Sequence, residues 1–380
     1  MGGISKIILM EYCIKRKGIF LFWFVFSIIL ITGVSAENPS QNTSREQERA
    51  DRLDGKFQTR LVWSDGKHNA FTGAASWKEN VIIVFRHAEH HVSFDGQIKI
   101  IATKDGKDFS EWATISIPGK DLRDPKIINT GNELKIYAGA VDEKDIKRWH
   151  TEPRLFTSEN GKDWKQIPMK GLPADCWLWF TEYTGDIYYG SAYHRVAPNR
   201  PSQATLYKSK DGIHWEPFFT VTEKHSNEVA LDTDNEGRLY ALIRQEKPPY
   251  HPLYIKIADP EGKPGLCEVA WLDFPLQGPF LKRMKDGCLI IGRRWEDSEK
   301  DTFFTNPSPN RRVEMIWLGD EGDIERLCTL KSGGDCSYAG WATLPKGDTL
   351  VSYYSGHETN YPQSNIYVAI FPPGVLPPEE

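Results

Sequence analysis

Side chains able to do chemistry fall in short clusters along this sequence: Arg86-His87-Ala88-Glu89-His90-His91, Arg123-Asp124, Tyr193-His194, Asn227-Glu228, Arg244-Gln245, Arg293-Arg294, Ser337-Tyr338 and His357-Glu358. Carboxylates in such company suit general acid and base work on a glycosidic bond, where one group protonates the leaving oxygen and another acts on the opposite side. Histidine near its ordinary pKa serves as acid or base at neutral pH. His87, His91, Tyr193 and His194 therefore suit β-elimination from a uronic acid, which needs a base for the C5 proton and an acid for the leaving oxygen. Arg86, Arg123, Arg244 and Arg294 suit a carboxylate or sulfate through bidentate guanidinium geometry. The bland alternative is that they neutralise Asp124, Glu228 and Glu358 in buried networks. His87, Glu89 and His91 share one face of a strand, but His-x-Glu-x-His in a loop is a weak metal signature, and neither metal nor cofactor is expected.

The elements that must position these residues are strands. Thr103-Lys104-Asp105-Gly106-Lys107-Asp108-Phe109, Ser158-Glu159-Asn160-Gly161-Lys162-Asp163-Trp164 and Ser209-Lys210-Asp211-Gly212-Ile213-His214-Trp215 are near copies of one hairpin turn. The hydroxyl ends a strand, Asp or Asn bonds the turn backbone, Gly takes the positive φ, and the aromatic packs as the next strand begins. The glycines recur after 55 and then 51 residues, a period that points to a propeller. Apolar runs of four to eight residues, punctuated by Gly, Asp, Asn and Pro, group into blades near His68–Ile117, Leu122–Met169, Cys176–Val221, Asn227–Leu272 and Gln277–Leu330. A sixth from Asp335 to Phe371 supplies three strands, and Phe57–Trp63 is the donor of its fourth. The expectation is an all-β, six-bladed β-propeller closed by an N-terminal strand in the last blade. First strands then line the shaft, and their starts face one mouth together with the second-strand ends. That geometry gathers Asn69, Arg123, Asp124, Trp177, Trp179, Glu228 and Tyr338 with Arg86, His87, His91, Tyr193, His194, Arg244, Arg294 and His357. Trp177 and Trp179 either stack on a sugar ring or pack between blades.

On these residues the chain resembles the sialidase superfamily of six-bladed propellers, the BNR-repeat proteins, and the three turns look like its Asp-boxes. Asn227-Glu228-Val229-Ala230-Leu231 through Ile243-Arg244 is similar to the stretch carrying a base glutamate and a carboxylate-binding arginine. Gln277-Gly278-Pro279-Phe280 with Asn306-Pro307 and Arg311-Arg312 looks like the segment of another arginine, and Ser337-Tyr338-Ala339-Gly340 like that of a tyrosine nucleophile. The resemblance implies that Glu228 activates Tyr338 while Arg244 and Arg312 grip an anionic group. The chain departs from the pattern at Asn69-Ala70-Phe71-Thr72, where sialidases place Arg-Ile-Pro, and at Arg86 to His91, where they place an acid Asp. Asp124 or Glu89 is then the candidate acid. The chain looks most like the secreted bacterial members labelled exo-sialidases or glycosyl hydrolases. It implies a glycosidase acting on the terminal sugar of an acidic oligo- or polysaccharide, whose sugar is uronic, sialic acid-like or sulfated. The alternatives are a lyase or dehydratase, and a non-catalytic glycan-binding propeller.

The 380 residues suffice for one large closed domain. Residues 1–36 read as a signal peptide, with basic Lys15-Arg16-Lys17, an apolar run from Gly18 to Gly33 and a small-residue cleavage site at Val34-Ser35-Ala36. A flexible polar lead-in at 37–54 and the propeller at 55–380 follow. Removing four basic residues and one acidic one takes the formal charge from −5 to −8, which argues against nucleic acid as a partner. A secreted or periplasmic monomer with no membrane association after cleavage is expected. The five cysteines that remain, without C-x-x-C, argue against structural zinc; Cys328 and Cys336 either bridge or stay free.

Overall fold

The β-branched and aromatic runs can bury both faces only if each sheet packs between two others, and the chain meets that demand by forming a ring. A computed structural model describes residues 8–11, 52–142, 151–194, 201–262, 266–295, 310–359 and 362–380. Blade one comprises His68–Trp77, Asn80–Ala88, Gln97–Thr103 and Ser110–Ile115. Blade two comprises Lys120–Asn129, Leu134–Asp142, Thr151–Ser158 and Lys165–Ile167. Blade three runs from Cys176–Tyr183 through Tyr188–His194 and Gln203–Ser209 to Glu216–Thr220. Blade four holds Ser226–Thr233, Leu239–Gln245, Leu253–Ile257 and Leu266–Trp271, with Ile8–Glu11 paired along its outer edge. Blade five is Gln277–Met284, Gly287–Arg294, Arg312–Gly319 and Ile324–Leu330. Blade six is Cys336–Thr343, Thr349–Ser355 and Asn365–Phe371, completed by Gln58–Trp63. No helix occurs among the described residues.

The expected six blades and the N-terminal closing strand are therefore present. Each inner strand packs on the next, and that of blade six packs on that of blade one. Closure leaves no inner edge unpaired. Phe57 stacks on Phe371 at 4.7 Å beside the closing strand. The strand Ile8–Glu11 lies inside the stretch expected as a signal peptide; blade four keeps four strands without it. The rest of that stretch and most of the polar lead-in lie outside the described residues.

The repeated turns do what their residues suggest. In each, the hydroxyl of Thr103, Ser158 or Ser209 accepts the glycine N–H at 2.9 Å. One oxygen of Asp105, Asn160 or Asp211 accepts two further backbone N–H groups. The glycines have φ of 70 to 75° and are buried against neighbouring side chains: a Cβ at Gly106 would meet Ile370 at 2.7 Å, and one at Gly212 would meet the Tyr137 hydroxyl at 2.4 Å. The turns thus fasten blades one, two and three to their neighbours at the end opposite the mouth. All five cysteines from Cys176 onward are buried free thiols, so Cys328 and Cys336 do not bridge.

Candidate active site

Every inner strand breaks register with its neighbour near its mouth end. The breaks fall at Ala70/Gly73, Arg123/Lys126, Leu178/Phe180, Ser226/Val229, Gln277/Phe280 and Ser337/Gly340. A bulge re-aims the side chain it carries, and six bulges at one level make a ring of Phe71, Asp124, Trp179, Glu228, Gly278 and Tyr338. Phe71, Asp124, Gly278 and Tyr338 have φ between 51 and 61°. For residues other than Gly this left-handed backbone costs about 1–3 kcal/mol each and clusters at functional sites. Gly278 gives the ring its gap: a Cβ there would meet Ser337 Oγ at 2.5 Å and the Tyr338 ring at 3.2 Å. Thr72 donates to the carbonyl of Tyr338 at 2.7 Å, and Ser337 to that of Gly278 at 2.8 Å. The bulges of blades one, six and five are laced together.

Tyr338 and Glu228 come from blades six and four, 110 residues apart in sequence, and meet in this ring. The Tyr338 hydroxyl donates to Glu228 Oε1 at 2.7 Å, and Arg244 Nη1 donates to the same oxygen at 2.6 Å. Tyr338 is 9% exposed and Glu228 4%. Three rings fix the phenol, with centroids at 5.0 Å for Phe71, 5.6 Å for Trp179 and 5.9 Å for Tyr354. Burial, and then the charges of Glu228 and Asp124, hold its pKa well above the usual phenol value. Burial likewise pushes the Asp124 carboxyl up to about 6, against the pull of Arg123 and Lys126. Several buried atoms of the ring have no hydrogen-bond partner in the protein: Asp124 Oδ1, Glu228 Oε2, Trp179 Nε1, Arg123 Nε, Lys126 Nζ and Arg244 Nε. Buried polar atoms are ordinarily satisfied by protein, water or ligand, so this set is open to hydrogen bonds from water or a polar ligand.

A second network braces the ring from the mouth side. Asp121 takes both Arg86 Nε at 2.7 Å and Arg86 Nη2 at 3.0 Å, and also Arg123 Nη1 at 3.0 Å. Arg123 further donates to the carbonyl of His91 at 2.6 Å and lies over the Phe71 ring at 5.0 Å. Asp335 accepts from His91 Nδ1 at 2.7 Å, His68 Nε2 at 3.2 Å, Tyr354 at 2.8 Å and Arg293 at 3.3 Å. These partners hold its carboxyl well below the usual range, while burial drops His68 to about 4. His68, His91 and Asp335 have the spacing of metal ligands. Arg86 touches His68 Nδ1 at 3.2 Å and Arg293 touches Asp335. Two guanidiniums against the trio fit a hydrogen-bond network better than a cation.

The remaining expected residues have other partners. Arg86 is wholly buried and bound to Asp121, so as a substrate-binding residue it is corrected to a brace. His87 pairs with Asp65 at 2.8 Å, and Asn69 donates to Asp65 at 2.8 Å and to the Ser364 carbonyl at 3.2 Å. Glu89 lies exposed on Lys67 at 2.6 Å, so the His87, Glu89 and His91 set does not assemble. Trp177 stacks parallel on Tyr193 at 6.2 Å, a packing contact. His194 ends its strand half-buried, opposite Cys176. Arg294 is held by Glu314 at 3.0 Å, and Arg312 donates to the carbonyl of Arg311 at 2.7 Å. His357 bonds Ser355 Oγ at 2.9 Å. Asn306 and Pro307 lie outside the described residues. Sequence reading missed Lys126, Asp121 and Asp335; the register break between Arg123 and Lys126 removes the strand alternation that would have marked Lys126. Below the ring a separate cavity of about 190 Å³ is lined by Lys126, Glu182, Asp232 and Lys282 among others. Burial and the nearby Asp232 raise Glu182 to about 8.

These features define a six-bladed β-propeller, and that fold matches sialidase propeller structures. It is similar to a protein of unknown function from Dyadobacter fermentans (TM-score 0.65, 16% identity, 83% of this chain and 99% of that one). It is also similar to Trypanosoma rangeli sialidase in complex with 2,3-difluoro-KDN (TM-score 0.60, 11% identity, 84% of this chain and 58% of that one). A further structure of that sialidase, a covalent intermediate with 2,3-difluorosialic acid, aligns with a TM-score of 0.57 at 11% identity, over 80% of this chain and 54% of that one. The chain thus spans little more than half of the trypanosomal enzyme. No protein-family model matches the sequence, and a search of curated proteins found no match.

Proposed function

We propose that the protein is a secreted glycosidase that removes the terminal sugar of an acidic oligo- or polysaccharide. The observation that carries this reading is the 2.7 Å hydrogen bond from Tyr338 to Glu228 inside a buried ring. A phenol is a poor nucleophile until a base takes its proton. Glu228 accepts that proton as the Tyr338 oxygen bonds to the anomeric carbon. The bond from that carbon to the leaving oxygen breaks, and Asp124 protonates the oxygen. Asp124, now a carboxylate, then takes a proton from water, which displaces Tyr338, and the phenol recovers its proton from Glu228. Net retention follows from two displacements. Arg123, Lys126 and Arg244 each hold a buried donor without a partner, which supports an anionic group on the substrate. Elimination has less support, because His87 and His91 are bound to Asp65 and Asp335.

The test is incubation with acidic oligosaccharides, followed by assays for reducing sugar and for the ultraviolet absorbance of an unsaturated uronate. Sugar release without new absorbance is expected. New absorbance would establish a lyase instead, and binding with neither signal a non-catalytic propeller.

A further inference from the structure

Lys126 lies on the inner strand of blade two and is 7% exposed. Its ammonium stands 5.1 Å from the ring centre of Trp179 and 5.4 Å from that of Tyr338. Nζ has no hydrogen-bond partner in the protein, so its surroundings are two aromatic faces and the charges of Asp124 on its own strand and Glu228 on blade four. The lower cavity brings Glu182, Asp232 and Lys282 to its other side. A buried ammonium is costly unless nearby charge or a ring face compensates it. A structural lysine would be expected to hydrogen-bond one of the carboxylates; this one stands over the rings.

We propose that Lys126 is the positioning cation of the nucleophile, stabilising the negative charge that gathers on Tyr338 as Glu228 withdraws the phenol proton. This rests on the assignment of Tyr338 above. Phenolate charge spreads into the ring, so a cation over its face attracts the phenolate more than the neutral phenol, and only such a difference accelerates a reaction. Arg244 holds the base, Glu228, through Nη1. Arg123 is drawn to Asp121 and the His91 carbonyl. Among the described residues, Lys126 is the cation placed over the nucleophile's ring.

The test uses the whole chain and methanesulfonyl fluoride, which needs no sugar. The Tyr338 oxygen bonds to sulfur, the sulfur–fluorine bond breaks, fluoride leaves, and Glu228 takes the phenol proton. Mass spectrometry of the Tyr338 peptide reads the rate, with Tyr338→Phe as the blank. The expected result is labelling at least tenfold slower in Lys126→Met and within threefold of wild type in Lys126→Arg, which keeps the charge. Should the Met variant fail to fold by circular dichroism, Lys126→Gln replaces it under the same threshold. Equal rates in wild type and the neutral variant overturn the inference, as does a wild-type Tyr338 that resists labelling. Glycan hydrolysis is measured alongside. Charge-dependent labelling without any glycan turnover sinks the glycosidase reading and leaves Lys126 its role. Turnover with labelling indifferent to Lys126 does the reverse.

Discussion

Asp124 has an environment that its sequence neighbours misrepresent. Its neighbours Arg123 and Lys126 suggest a stabilised carboxylate, yet burial outweighs both and raises its pKa to about 6. A carboxyl of this kind is protonated below pH 6 and loses its proton as pH rises through 6, so it serves as an acid on the lower side. The activity kcat/KM is therefore expected to fall about tenfold for each pH unit above 6. Asp124→Asn should lower the plateau by roughly 10²- to 10⁴-fold and abolish that limb, since general acids contribute on this scale. A pH profile of both proteins checks this; an unchanged limb in the Asn variant assigns the titration elsewhere. Glu228 and Tyr338 were legible because each stands at the start of a shaft strand. Lys126 was not, because the reading stopped at strand starts and the bulge decides which later side chain turns inward.

Among the elements, the bulges and the network around Asp335 give the site its form. Positive φ at Phe71 and Tyr338 leaves no mark on the sequence, since bulky aromatic side chains do not favour left-handed backbone. What sustains it is tertiary: Thr72 on the carbonyl of Tyr338, and Ser337 on that of Gly278. Asp335 joins blade six to His68 and His91 of blade one and to Arg293 of blade five. Removing one partner of a buried charged network costs about 3–5 kcal/mol. Urea unfolding of Asp335→Asn at pH 7 should show a loss of that order; an unchanged midpoint would mean the network is dispensable. The wild-type pH dependence has a definite sign. Asp335, depressed in the fold, contributes stability above its unfolded pKa of about 4 that is lost as pH falls through its folded value. His68, neutral in the fold down to about 4, costs stability as pH falls below about 6.5, where the unfolded chain takes up a proton. Both make the protein acid-sensitive. His87, His91 and Arg86 had looked like ligand-binding groups because sequence shows charge without showing its partner, and here Asp65, Asp335 and Asp121 are those partners.

For the whole molecule, ring closure is what lets residues of blades four and six share a proton. Turn spacing and strand punctuation were enough to place all six blades and the closing strand, because those signals are local. Which side chains meet across the shaft depends on closure and is not local. Removing residues 1–51 should leave the urea midpoint nearly unchanged, since the closing strand Gln58–Trp63 and buried Leu53 remain. Removing residues 1–63 should lower it sharply or produce aggregates, because Asn365–Phe371 would become an open edge. Equal midpoints for the two truncations would show that closure comes from elsewhere.

The most direct measurement is kcat of Tyr338→Phe on whichever acidic glycan the wild-type protein hydrolyses. Phe keeps the ring between Phe71 and Trp179 and deletes only the oxygen that bonds Glu228. Loss of a nucleophile that acts with its base as a unit should lower kcat by about 10³-fold or more, with KM little changed. A variant that retains kcat within about tenfold, or a wild-type protein that hydrolyses none of the glycans offered, would contradict the role assigned to the Tyr338–Glu228 pair.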